Sequence, residues 1–159
     1  MHSDNSTSYT ARLAELGIEL PRTAPLPVGS YVPAVASGSF IYTAGQLPLI
    51  EGALVHAGVV GDAVSVQDAT ACARICAVNA ISAIARELGS LERVTRIVKL
   101  VGFVASAPGF SEQAAVLNGA SDLVGQIFGA AGIHARSAVG VAALPLGAPV
   151  EVEIVAEVA

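Results

Sequence analysis

The chain of 159 residues is long enough for one domain with a sizeable core, and its composition is strongly apolar. Hydrophobic residues make up 53% and charged residues 13%, against about 25% charged residues in an average soluble domain. The net charge is −5, and the eight Lys and Arg residues are scattered along the chain. Nucleic acid is not an expected partner, because phosphate binding depends on a basic stripe.

This composition favours either a membrane location or burial against other copies of the chain. Residues 23–50 form the longest uncharged stretch, but its four prolines and three glycines are incompatible with a simple spanning helix. Residues 1–10 are polar and do not resemble a secretory signal. We therefore expect a homo-oligomer in the cytoplasm, without a membrane partner.

Short elements are predicted in the first third of the chain: a helix at residues 10–16, hairpin strands at residues 31–36 and 39–44, and a strand at residues 53–56. The helix ends near Gly17, and a proline-rich, extended connection follows at residues 21–27. The hairpin turns through Ser37 and Gly38 and is rich in β-favouring residues. The rest of residues 48–63 is expected to be irregular.

The first long helix has well-defined ends. Ser65 and Asp68 resemble a capping box, and Gly89 suits a C-terminal stop. Apolar and mostly small residues recur between them at spacings of three and four, namely Val66, Ala69, Ala73, Cys76, Ala77, Ala80, Ile84 and Leu88. Small side chains allow this helix to lie close to a sheet.

Residues 94–105 are predicted to form a strand that is apolar on both faces. Its apolar residues are Val98, Leu100 and Val104 on one face and Ile97, Val101 and Phe103 on the other. Helices can cover one of these faces. The other face then needs a partner subunit.

A second long helix is predicted at residues 111–128, capped by Ser111 and Glu112. Two strands follow, joined by a Leu-Pro-Leu-Gly turn. The predicted order is β-β-(β)-α-β-α-β-β, which is typical of an α+β structure with helices packed on a sheet.

Cys72 and Cys76 lie four residues apart in the first long helix. They are either a metal or redox pair or small core residues. The histidines, His56 and His134 among them, are distant and isolated, and a disulfide within one helix has poor geometry. Core packing is therefore favoured, and no metal site is predicted.

The last two strands carry the candidate site. Arg136 opens the first, and Glu151, Glu153 and Glu157 share one face of the second because side chains alternate along a strand. Charge is scarce elsewhere in the chain. The residues alone leave two roles open for Arg136, ligand binding or an intersubunit ion pair. For Glu151 they leave open a role in the site or a position on a solvated strand face.

Four pieces of sequence resemble the RidA/YjgF family, also labelled L-PSP endoribonuclease-like: GSYVP, YTAGQLP, VLN, and ARSAV running through LP to VEVE. They occur in this order across about residues 25–158. The resemblance implies a homotrimer with a chorismate-mutase-like α+β fold, in which two long helices pack on one face of a mixed sheet. Residues 25–159 are then the single domain, and residues 1–24 an N-terminal extension with the short helix.

The resemblance also implies an activity, the hydrolysis of reactive 2-enamines and 2-imines to 2-keto acids and ammonia. The site would lie in a cleft between subunits and need no metal or organic cofactor. Arg136 would bind the substrate carboxylate, and Glu151 would position or activate water, as the two catalytic residues. The pocket would also be lined by Tyr31, Ala44, Gly45 and Asn118.

Three of the lining residues have another interpretation. Tyr31 suits an interface aromatic, Asn118 a polar residue that caps or crosses helices, and Gly45 a backbone requirement at a strand end.

The chain departs from the family pattern where family members commonly carry Ser, Cys and Glu, at Ala44, Ala138 and Gly140. Hydroxyl, thiol and carboxylate groups are thereby lost, which is typical of a divergent subgroup. The alternative function is a non-catalytic sensor or scaffold that binds small carboxylates in the same cleft. The acidic charge disfavours the ribonuclease role that the family name has carried.

Overall fold

A computed structural model describes residues 8–22 and 29–159. The helices and strands in these ranges are α1 (Tyr9–Glu15), β1 (Ala34–Ser37), β2 (Phe40–Thr43), β3 (Leu49–Ile50), β4 (Ala53–Leu54), α2 (Val66–Leu88), β5 (Val94–Ala105), α3 (Gln113–Phe128), β6 (Ala135–Val141) and β7 (Val150–Val158). The predicted α+β fold is confirmed, with α2 and α3 packed on one face of the main sheet.

The long elements begin and end close to their predicted positions. The Ser65 side chain accepts the backbone N–H of Asp68 at 3.0 Å, and Gly89 ends α2 in the left-handed conformation with φ of 76°. β5 spans the predicted residues. The prediction that Ser111 caps α3 is wrong, because the helix begins after Glu112, whose side chain makes no capping hydrogen bond.

The short elements differ more from the prediction. β1 begins at Ala34 rather than at residue 31, and the hairpin turns through Gly38 and Ser39. Two short strands, β3 and β4, pair with each other where one was expected. The predicted proline-rich connection lies largely outside the described residues, as does the predicted domain boundary after residue 24.

The five strands of the main sheet follow the order β1-β2-β7-β5-β6. β5 and β6 are parallel, and the other neighbours are antiparallel, so the sheet is mixed as predicted. β6 and β7 are consecutive in the sequence but are not neighbours, since β5 lies between them. β6 is an edge strand.

The helix layer packs tightly because glycines remove side chains at the contact points. A Cβ atom at Gly102 of β5 would collide with the Leu117 side chain, and one at Gly119 of α3 would collide with the carbonyl oxygen of Thr70 in α2. α1 packs on the far end of α3, where the Arg12 guanidinium donates a hydrogen bond to the Ile127 carbonyl oxygen.

Two bulges in β5 change the predicted assignment of its faces. The register with β7 shifts between Val94 and Arg96 and again between Ile97 and Lys99. Each shift adds one residue to β5, so the strict alternation breaks. Ile97 therefore lies on the helix-covered face with Leu100, and its predicted place on the opposite face is wrong.

The other face of the sheet, which we call the open face, has no helix over it. It carries partly or largely exposed apolar residues on several strands, namely Val35, Phe40, Tyr42, Val101, Phe103, Val139 and Val155. An apolar surface of this kind is typical of a protein interface.

α2 is the one helix of the described ranges that is long and apolar enough to cross a membrane by length and composition. In the fold, 61% of the most apolar 18-residue stretch of this helix is buried against the rest of the chain. Cys72 and Cys76 are fully buried on this helix, consistent with the predicted core packing.

Candidate functional site

Arg136 lies at the edge of the sheet beneath α3. It pairs with Leu100 of β5, so its side chain starts on the helix-covered face. Nη1 donates to Asn118 Oδ1 at 2.9 Å and to Ser121 Oγ at 3.1 Å, and Nη2 donates to the Ala114 carbonyl oxygen at 3.2 Å. All three acceptors are neutral, and all belong to one face of α3.

The Arg136 guanidinium has no anionic partner in the part of the chain that the structure describes. The one ion-pair contact within 4.0 Å in that part joins His56 to Asp68. An ion pair between Arg136 and a described carboxylate of the same protomer is thereby excluded. Its positive charge is held in place by dipoles and is available to an anion from outside the protomer.

A hydrogen-bonded chain continues from Arg136 through Ser121. Ser121 Oγ lies 3.0 Å from His134 Nε2, and His134 Nδ1 lies 2.6 Å from the Gly132 carbonyl oxygen. The sequence did not predict this hydrogen-bonded role of His134, which was considered only as a possible metal ligand beside the cysteines. The available signal was spacing, since Ser121 follows Asn118 by one helical turn and His134 precedes Arg136 by two residues.

Glu151 lies on the open face. It pairs with Phe103 on β5, and Glu153 and Glu157 occupy the same face of β7, as predicted from the alternation. Glu151 is half-buried. Burial first, and then the neighbouring Glu153 carboxylate, raise the pKa of the Glu151 carboxyl above its ordinary range.

Gly45 makes room for the Glu151 carboxyl group. A Cβ atom at Gly45 would collide with that group, whereas Gly45 is not among the glycines with positive φ. The requirement is therefore space rather than backbone conformation. The loop is fixed there because the Gln46 N–H donates to the Val152 carbonyl oxygen at 2.8 Å. Ala44 precedes it and is half-buried.

The other positions discussed from the sequence lie elsewhere. Tyr31 precedes β1, and half of its surface is exposed. Ala138 and Gly140 pair with Gly102 and Val104, so they face α3 rather than Glu151. The side chains of Gln113 and Ser106 lie where a Cβ atom at Gly140 would point.

The structure thus forms two separate groups of predicted site residues. Arg136 and Asn118 form one at the sheet edge, and Glu151 and Gly45 form the other on the open face, with β5 between their strands. No hydrogen bond or ion pair joins the two groups in the described ranges. Those ranges also contain no cluster of three or more His, Cys, Asp or Glu residues that could hold a metal ion.

Comparison with known proteins assigns this architecture to a family. Residues 10–158 match the family described as "YjgF/chorismate_mutase-like, putative endoribonuclease". The chain belongs to the YjgF/chorismate mutase-like family. The resemblance derived from the sequence motifs is therefore confirmed, together with the fold that it implied.

Similar proteins place the chain within a divergent part of this family. Protein TCP17 from Trypanosoma cruzi is 46% identical over 153 residues, covering 96% of this chain and 95% of its own. Atu1372 from Agrobacterium tumefaciens is 43% identical, with a TM-score of 0.88 and coverage of 95% and 92%. Escherichia coli TdcF with bound serine is 28% identical, with a TM-score of 0.59 and coverage of 86% and 94%.

Proposed function

We propose that the protein hydrolyses small 2-imino acids and their 2-enamine tautomers to 2-keto acids and ammonia, in a cleft between two subunits of a homotrimer. The observation that carries the proposal is the Arg136 guanidinium, which is held by three neutral acceptors and has no described carboxylate within reach. Such a group is suited to bind a carboxylate.

An intersubunit cleft is supported by the position of the two groups of site residues. Arg136 lies on an edge strand and Glu151 on the open face, so a single protomer does not bring them together. A second copy that covers the open face with its own β6 edge would place its Arg136 near Glu151. The same contact would bury the exposed apolar residues of that face.

Arg136 would bind the substrate carboxylate through its unused donors. Three of its five N–H groups point to α3, which leaves one on Nε and one on Nη2. These two atoms share one edge of the guanidinium and match the two oxygens of a carboxylate. TdcF binds serine, a small molecule with an α-carboxylate, which fits this assignment.

The chemistry needs one proton-transferring group and a positioned water. The ionised Glu151 carboxylate would accept a proton as water attacks C2 of the protonated imine, forming a carbinolamine. That proton would then move from Glu151 to the amine nitrogen, and the C2–N bond would break. Ammonia would leave as the C2 carbonyl forms and Glu151 accepts the proton of the carbinolamine hydroxyl. The raised pKa of Glu151 suits both steps, because a proton-transfer group works best with its pKa near the operating pH.

Tyr31, Ala44 and Gly45 would complete the pocket. Gly45 keeps space for the Glu151 carboxyl, and the loop that carries it is held against β7. Ala44 offers only a methyl group, so no hydroxyl is available there to orient the water. Orientation would therefore depend on Arg136 and Glu151.

The experiment generates 2-aminoacrylate and 2-aminocrotonate in situ with a serine/threonine dehydratase and follows release of the keto acid. Wild-type protein should accelerate release, and Arg136→Ala should lose about 100-fold of that acceleration because the substrate is no longer anchored. Arg136→Lys should lie between them, since it keeps the charge without the planar fork. Full activity in Arg136→Ala, with an unchanged oligomer by light scattering, would contradict the proposal.

Non-catalytic binding of small carboxylates is the second candidate. It is favoured by Ala44, and by Ala138 and Gly140, which face α3 and supply no reactive group. It predicts saturable binding of pyruvate without any turnover of the imines. Thermal-shift titration with pyruvate measures this binding independently of catalysis.

A further inference from the structure

We infer that Ser121 and His134 are positioning residues that fix the orientation of Arg136. The inference rests on the carboxylate-binding role proposed for Arg136. Neither residue belongs to the predicted site, and their side chains are half-buried at the sheet edge. The hydrogen bonds that join them to Arg136 have only one consistent set of directions in the neutral imidazole.

The Gly132 carbonyl oxygen, which can only accept, determines which group donates in each of these hydrogen bonds. His134 Nδ1, 2.6 Å away, must therefore carry the proton, and Nε2 of the neutral ring is then an acceptor. Ser121 must donate its hydroxyl proton to Nε2 at 3.0 Å. The lone pairs of Ser121 Oγ are left to accept from Arg136 Nη1 at 3.1 Å.

The Gly132 carbonyl group is itself held rigidly. Gly132 is buried, and a Cβ atom there would come within 2.6 Å of the Val124 carbonyl oxygen and 3.2 Å of the Phe128 Cβ atom. The segment is therefore packed closely against the end of α3. A fixed acceptor sets the imidazole tautomer, and the tautomer sets the hydroxyl direction.

These hydrogen bonds determine which N–H groups of Arg136 remain for a ligand. Asn118 Oδ1 and Ser121 Oγ take both N–H groups of Nη1, and the Ala114 carbonyl oxygen takes one from Nη2. Three acceptors on one face of α3 prevent the guanidinium from rotating about the Nε–Cζ bond. The Nε and Nη2 donors that remain are thus presented to a carboxylate in one orientation, at a lower entropic cost of binding.

The test compares Ser121→Ala, which removes the acceptor, with Ser121→Thr, which keeps a hydroxyl at the same position. Affinity for pyruvate is measured by titration calorimetry, and KM and kcat are measured with 2-aminocrotonate. Nitrogen NMR of the full-length protein reports which ring nitrogen of His134 is protonated, with the signal assigned through His134→Gln. The same spectra report how fast the Arg136 guanidinium rotates.

We expect the Nδ1–H tautomer in the wild type, and slow guanidinium rotation that becomes faster in Ser121→Ala. Pyruvate affinity should fall by about tenfold in Ser121→Ala, with KM rising similarly and kcat changing little, and Ser121→Thr should restore both. A merely structural role would lower the unfolding midpoint without this split.

An Nε2–H tautomer, or wild-type pyruvate affinity in Ser121→Ala, would overturn the inference. A wild-type protein that neither binds pyruvate nor hydrolyses imines would refute the proposed function instead. In that case the tautomer and the rotation rate would still decide whether Ser121 and His134 fix Arg136.

Discussion

The two faces of the main sheet carry apolar residues alike but differ in what covers them. On one face α2 and α3 approach so closely that Gly102 and Gly119 are needed at the contacts. On the open face Val35, Phe40 and Tyr42 keep between 36% and 51% of their surface exposed, beside the row of glutamates on β7.

A single protomer completes the packing of the covered face but leaves the open face without a covering layer. The covered face is the hydrophobic core, and the Arg136 group lies at its margin, with three of the five guanidinium N–H groups bound to acceptors on α3. The open face holds the half-buried Glu151, whose raised pKa reflects burial and a like charge without a described cation beside it. We therefore expect substitutions on the two faces to fail in different ways.

The largest effect is expected on the open face, from a charge placed among its apolar residues. Tyr42→Glu should leave the protomer folded, because 47% of Tyr42 is exposed, but should dissociate the oligomer since a buried charge without a partner is costly. Light scattering should then give the 15.9 kDa protomer in place of the proposed trimer.

The matched control is Ile50→Glu, which places the same charge at an exposed apolar residue on β3, outside the main sheet. It should leave the mass unchanged. An unchanged oligomer in Tyr42→Glu would show that the open face is not the interface.

The next effect concerns Glu151 and separates activity from stability. Glu151→Gln should lower imine hydrolysis by about 100-fold, because the neutral amide cannot accept a proton. Wild-type kcat/KM should rise with pH through the raised pKa of Glu151, so its acidic limb should lie above the range of an ordinary carboxyl.

The stability of the same variant follows from linkage. The folded state holds the Glu151 proton more tightly than the unfolded state, so wild-type stability falls as pH rises from the ordinary carboxyl pKa through the raised one. Glu151→Gln lacks this loss and should unfold at a higher temperature at pH 8, with the advantage gone near pH 4. A lower midpoint for Glu151→Gln at pH 8 would contradict the assignment.

The smallest effect is expected on the covered face, within α3. Gly119→Ala should lower the free energy of unfolding by about 1–2 kcal/mol, because the added methyl group meets the Thr70 carbonyl oxygen. Gly125→Ala on the same helix meets nothing within 4 Å and should raise that free energy by about 0.5–1 kcal/mol through helix propensity. Equal urea midpoints for the two variants would refute the close packing of α2 and α3.

Much of the fold could be predicted because its signals are local. The cap at Ser65, the stop at Gly89 and the apolar run of β5 define elements within a few residues of their ends. The alternation in β7 placed the glutamates on one face correctly. Chain order and the family resemblance then supplied the layer arrangement.

The features that could not be predicted depend on long-range placement. The two bulges in β5 reverse the face of Ile97, and no residue there marks them. β5 lies between β6 and β7 in the sheet and separates Arg136 from the glutamates, although β6 and β7 are consecutive strands in the sequence. His134 was missed because its partner Ser121 lies thirteen residues earlier and meets it only beneath α3.

The most direct test of the central claim is a mixing experiment with two inactive variants. Arg136→Ala and Glu151→Gln are unfolded together and refolded as mixed oligomers, and imine hydrolysis is compared with each variant refolded alone. If Arg136 of one copy serves Glu151 of the next, random trimers should recover about a quarter of wild-type activity, because mixed trimers hold one intact site of three. Activity that stays at the level of the separate variants, in mixed oligomers of unchanged mass, would show that the two residues do not meet between subunits.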